Sequence, residues 1–139
     1  METTVILTVS VRALRNRAEA TMSASDPNPL SFLPLHPLEF RILMVLLEEP
    51  AHGYAIVQEI ESKEKDLVRI NPGNLYRRIR DLRAKGLIAK TDPPGGEQGD
   101  SRRLYFQVTG LGREVGQLEA ERLRTLVLEA RSHGLLTEA

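Results

Sequence analysis

A chain of 139 residues with 19 basic and 19 acidic side chains carries no net charge, so only local clustering can point to a polyanionic partner. With no cysteine, it excludes disulfides, thiolate metal sites and a Cys nucleophile, and it fits a reducing cytoplasm. No apolar run approaches the ~18 residues of a membrane-spanning helix, and in "TTVILTVSV" the arginines Arg12, Arg15 and Arg17 follow the apolar stretch, the reverse of a signal peptide's charge order.

Residues 1–30 read as an N-terminal extension. Apolar and basic segments there lead into "SASDPNPLS", a loop composition. Met22 stands just before that loop, so translation starting there is one reading of the segment. A winged helix-turn-helix is expected over 31–108. In "HPLEFRILMVLLEEP", Pro37 suits a first helical turn and Pro50 a stop, with Phe40, Leu43, Met44, Leu46 and Leu47 as the apolar face. "HGYAIVQEIESKEK" gives a second helix with Ala55, Ile56, Val57 and Ile60 inward. Gly53 marks a close helix approach or an open backbone angle, and His52 reads as a turn residue.

The third helix is "NPGNLYRRIRDLRAKGLI", with Asn71 as cap, Pro72 in the first turn and Gly86 as stop. At about 100° per residue from Leu75, Ile79 and Leu82 share its face, which is expected to be buried. Gly73, Tyr76, Arg77 and Arg80 lie on the far side, while Arg78 and Lys85 are lateral and near enough to the core to snorkel. Residues 69–90 hold seven Lys or Arg (69, 77, 78, 80, 83, 85, 90) against Asp81, a local excess of six. Such charge can simply solvate a surface. Here it sits at the helix end that enters the major groove in helix-turn-helix proteins, where arginine meets guanine edges or phosphates and the N-terminal amides favour an anion.

"LIAK" and "RLYFQV" predict two strands around "TDPPGGEQGDS", a long-tipped hairpin or wing. Arg102 and Arg103 stand where the second strand leaves the tip; alternation turns one of them outward, with Arg102 slightly favoured. Residues 109–134 predict one long helix from Thr109 to Gly134, about 35 Å for some 23 residues. Its apolar positions Leu111, Val115, Leu118, Leu126, Val127 and Ala130 exceed what so small a domain can cover, which makes it a dimerisation helix. Glycines at 110, 112 and 116 are expected to weaken its first turns by roughly 1 kcal/mol each relative to alanine. The fold class expected is mainly α with a small β-hairpin. His36, His52 and His133 form no metal spacing, no catalytic constellation stands out, and no cofactor is expected.

"HGYAIVQEI", "NPGNLYRRIRDLRAKGLI" and "DSRRLYFQVTGLGREV" resemble the PadR family of bacterial transcriptional regulators, over roughly residues 35–131. The resemblance implies a homodimeric, cytoplasmic winged-helix repressor of double-stranded DNA, relieved by a small hydrophobic effector. It assigns DNA contacts to Pro72, Gly73, Asn74, Tyr76 and Arg80. Asn71 and Asn74 replace the Ser or Thr common there and remain polar enough to bond phosphate or base. The chain also lacks tryptophan, against which a planar ligand could stack, and its length matches the short members. The alternative is a winged-helix protein-interaction or dimerisation module that does not bind DNA, favoured by the balanced charge and by Asp92, Glu97 and Asp100 in the wing.

Overall fold

The computed structural model describes residues 27–64, 71–94 and 103–137. Pro29–Phe32 form a single 3-10 turn, capped by the Asn28 carboxamide, which accepts from the Leu30 amide. Helix α1 (Pro37–Glu48) starts where His36 caps it: the ring accepts the Leu38 amide and Glu39 accepts the His36 amide, a reciprocal box. A two-residue strand β1 (Ala51–His52) leads directly into α2 (Gly53–Glu64), and α3 spans Pro72–Ala84. Strands β2 (Ile88–Thr91) and β3 (Tyr105–Val108) follow, then α4 (Gly110–Ser132).

The predicted two-stranded hairpin is a three-stranded antiparallel sheet in the order β1-β3-β2. Ala51 pairs with Phe106 and His52 with Tyr105, while Ile88 pairs with Val108 and Thr91 with Tyr105. The wing is therefore anchored on the chain entering α2 as well as on its own first strand. Arg102, Glu97, Asp100 and most of the tip segment lie outside the described residues, as do residues 1–26, Met22 among them.

Leu35–Gly116 make one unit, with Gln117–Ala139 and the stretch up to Pro34 in a second, so α4 begins in the first and ends in the second. In the first unit the core comes from one stripe of each helix. Ile42, Leu43 and Leu46 of α1, Ile56, Val57 and Ile60 of α2, and Leu75, Ile79 and Leu82 of α3 are all buried, joined by Leu87, Ile88, Phe106 and Val115. Each such side chain contributes about 1.5–3 kcal/mol by leaving water. On α1 the buried face differs from the one expected: Ile42 is fully enclosed, whereas Met44 and Leu47 are each 40% exposed. The choice turns on rotation of one helix whose apolar residues cover more than one face.

Buried Glu39 meets Lys85 Nζ at 2.9 Å, and this ion pair ties the end of α3 to the start of α1. A buried carboxylate left without that partner would be strongly unfavourable. Gly86, at φ 80°, then ends α3, and Leu87 N–H closes back on the Leu82 carbonyl at 3.0 Å. Further on, the buried Glu119 carboxylate takes the Arg122 guanidinium on its own helix, with Nη2 to Oε2 at 3.1 Å. That bond raises the Arg122 pKa.

Candidate nucleic-acid interface

Asn71 sets the geometry of α3. Its backbone is extended, its Oδ1 accepts the Gly73 amide at 2.8 Å, and its carbonyl accepts the Asn74 and Leu75 amides at 2.9 and 3.3 Å, so the one residue closes the first turn. Pro72 occupies the first helical position, where its missing N–H costs nothing. Asn71, Pro72, Gly73, Asn74, Tyr76, Arg77 and Arg80 are all exposed, while Leu75, Ile79 and Leu82 are buried. Asn74 is within a long 3.4 Å of Arg77 Nη2, a bond weak enough to exchange for another partner. Arg78 is half-buried beside the core, the lateral position expected for it.

Gly53 is a close approach rather than an open backbone angle: its φ is not positive, and a side-chain Cβ there would sit 3.0 Å from Cε1 of Tyr76. The absence of a side chain on the first residue of α2 thus lets the Tyr76 ring lie against it. One residue earlier, His52 does more than turn the chain. Its Nδ1 faces the Ala55 amide at 3.1 Å, capping α2, and its Nε2 lies 2.9 Å from Arg103 Nη1 at the root of the wing. The Arg103 guanidinium also stands 5.9 Å above the Tyr54 ring, and the imidazole meets Tyr105 edge-on at 5.3 Å.

Tyr76, Ile79, Arg80 and Arg83 of α3 face His52, Gly53, Tyr54, Arg103, Leu104 and Phe106 across a cleft of about 410 Å³. Its floor is apolar and, among the described residues, its charged lining is three guanidiniums with no carboxylate. Such an arrangement can grip an anion in forked, paired hydrogen bonds while the floor takes up an apolar moiety. Arg77 points elsewhere and does not line it. The sequence pattern does not single out Arg83, Tyr54 or His52 for this site. The same wheel holds the signal for Arg83, which falls at about 80°, on the Tyr76 side of α3. Nothing in the local pattern reveals that His52 and Arg103, 51 positions apart, would meet. Of the apolar positions on α4, Val115 and Leu118 are buried in the single chain, Leu111 and Ala130 are half-buried, and Leu126 and Val127 are 45% and 47% exposed.

Both helix-capping histidines are held below the usual histidine range. For His36 burial is the chief cause, Arg78 adds to it, Arg77 and Lys85 contribute, and Glu39 opposes. For His52 burial comes first and Arg103 second. Only the neutral ring accepts a capping amide, so the folded chain resists a proton that the unfolded chain takes up below its ordinary 6.5. Their stabilisation is complete above that value and is lost as pH falls toward the lowered folded values. Replacing both with asparagine, which caps without titrating, is expected to flatten the fall in melting temperature between about pH 7 and about pH 5. An unchanged slope would show that these two rings do not carry the acid sensitivity.

Among the described residues no three metal-ligating side chains come together, and no helix is long and apolar enough to cross a membrane. Known proteins resemble this chain in sequence and in fold. The model of the transcriptional regulator PadR-like family matches residues 42–118. The "Uncharacterized 37.1 kDa protein in transposon TN4556" of Streptomyces fradiae is 34% identical over 85 residues, 61% of this chain, which spans only 22% of that protein's length. A transcriptional regulator from Clostridium thermocellum shares the fold at a TM-score of 0.59 and 23% identity, over 68% of this chain and 87% of that one. A PadR family regulator from Clostridium difficile R20291 does so at 0.58 and 17%, over 70% and 98%. The complex structure of hsRosR-S4, from H. salinarum, aligns at 0.53 and 26%, over 78% and 98%. The family match begins in α1, ends in α4 and so takes in the capped helix, the wing and the cleft between them: this chain belongs to the PadR-like family of transcriptional regulators.

Proposed function

We propose that the protein is a homodimeric, sequence-specific repressor that works in the cytoplasm, placing α3 in the major groove of double-stranded DNA and the wing on the adjacent backbone. The observation that carries this reading is the convergence of Arg80, Arg83 and Arg103 on one cleft beside the exposed start of α3. Gly73, Asn74, Tyr76, Arg77 and Arg80 read or approach base edges, and the positive end of the α3 dipole at Asn71 and Pro72 meets a phosphate. Arg103 takes the backbone from the wing, with Arg102 assigned beside it on the sequence alone. The test is a titration of upstream DNA against rising salt, where binding is expected to weaken with a log–log slope of about 0.9 per phosphate contacted. No binding at about 50 mM salt would favour the protein-interaction reading instead.

The homodimer rests on α4. Leu126 and Val127 leave apolar surface in water that a second copy of the same helix can cover, with Ala130 and Leu111 at the margins. Val115 and Leu118 already serve the single chain and add to the pairing from below, by fixing the helix. Leu126→Glu combined with Val127→Glu is expected to convert a dimer into a folded monomer in light scattering, and a wild-type monomer at micromolar concentration would sink the dimer. Relief by a small hydrophobic effector completes the reading. The cleft beside Arg80 is within the size range of small-molecule sites, and a molecule seated there would exclude the DNA backbone.

A further inference from the structure

We propose that His52 is a positioning residue for DNA binding: with the Tyr54 ring it holds the wing guanidinium of Arg103 on the α3 side, facing Arg80 and Arg83. The proposal rests on the DNA reading above and adds to it a residue that touches no DNA itself. Arginine is long and mobile, and an unsupported one at the root of a wing would lose rotamer freedom on meeting a phosphate. Here that loss is taken in advance. Nη1 of Arg103 lies 2.9 Å from His52 Nε2, and its guanidinium carbon lies 5.9 Å from the centre of the Tyr54 ring. The imidazole is itself fixed, edge-on to Tyr105 at 5.3 Å and within β1, which Tyr105 pairs directly.

The imidazole also explains why Arg103 is held without being trapped. Its Nδ1 faces the Ala55 amide and its Nε2 faces Arg103, both of them donors. A neutral ring has one bare nitrogen, so the two bonds compete for it. When Arg103 moves onto a phosphate, Nε2 takes the ring proton and Nδ1 caps α2 in full, which offsets part of the lost contact. The ring is thus a directed rest position from which release is cheap. Arg80 and Arg83 have no such support among the described residues and depend on α3 itself for their direction.

Two substitutions separate the roles. His52→Asn keeps a capping oxygen for Ala55 but is too short to reach Arg103, whereas His52→Gln reaches Arg103 and caps poorly. His52→Asn is expected to melt like the wild type yet bind DNA about 3- to 10-fold more weakly, with the log–log salt slope reduced by roughly one phosphate. His52→Gln is expected to keep affinity and slope while melting lower. In an Arg103→Ala background His52→Asn is expected to have no further effect on binding, because the histidine acts through that arginine. A wild-type slope and affinity in His52→Asn, or a penalty that persists without Arg103, overturns the proposal. NMR of the Arg103 guanidinium in the free protein supplies a second arm, with rotation about its C–N bonds slowed in the wild type and free in His52→Asn. Fast rotation in both overturns the positioning contact itself, whereas slow rotation with no DNA binding by the wild type overturns the DNA reading and leaves the contact standing.

Discussion

Arg80→Ala is expected to lower affinity for a cognate DNA site by about 10- to 100-fold and to blunt discrimination between sites, while the melting temperature stays put. The reasons lie in where the side chain stands. It is exposed on the outward face of α3, makes no hydrogen bond or ion pair among the described residues, and lines the cleft shared with the wing. No described residue loses a partner when it is removed, so an exposed substitution of this kind stays within about 0.5 kcal/mol in stability. A bidentate contact to a guanine edge is worth about 1–3 kcal/mol of discrimination, which sets the size of the effect. Arg80→Lys keeps the charge and loses the fork, so it should recover the salt dependence and not the sequence preference. Arg83→Ala, further along the helix, is expected to cost a phosphate contact and weaken all sites alike. Full affinity and preference retained in Arg80→Ala would remove α3 from the reading role.

Helix α3 is the most legible part of the chain because one period accounts for it. Leu75, Ile79 and Leu82 fall on one face and are buried, Asn71 caps, and Gly86 takes the left-handed angle at which the helix stops. Long-range pairings are not legible. Strand β1 is two residues long and carries no alternation, and it exists only because Tyr105 and Phe106 arrive beside it more than fifty positions later. For the same reason the local pattern around His52 shows a turn residue and not the neighbour of Arg103. On α1 the sequence offers more apolar residues than one face can hold, and the choice of Ile42 over Met44 and Leu47 is made by packing rather than by pattern. On α4 the same excess points wholly to a partner when read from the sequence, although Val115 and Leu118 are used at home.

Gly112→Ala is expected to destabilise the winged-helix unit by about 3 kcal/mol, against the helix propensity that favours alanine there. A Cβ at position 112 would drive into the carbonyl oxygen of Leu87 and lie 3.0 Å from both its carbonyl carbon and Cγ1 of Val108. Neither neighbour can yield cheaply. The Leu87 carbonyl accepts the Thr109 amide at 3.1 Å, and the Thr109 hydroxyl donates to the Gly86 carbonyl at 2.7 Å while accepting the Gly112 amide at 3.0 Å. This knot fastens the start of α4 to the end of α3 and the root of the sheet that carries the wing, so loosening it should reach DNA binding as well as stability. Gly110, two residues earlier, has open space within 4 Å of where a methyl group would stand, and no positive φ. Gly110→Ala is therefore expected to gain about 0.5 kcal/mol by restricting the unfolded chain. The two substitutions are chemically identical and opposite in sign, and thermal unfolding followed by circular dichroism should separate their midpoints by more than about 10 °C in a unit of this size. Coincident midpoints would mean that α4 does not pack on Leu87 at Gly112, and the glycine penalty at 112 would then stand uncompensated.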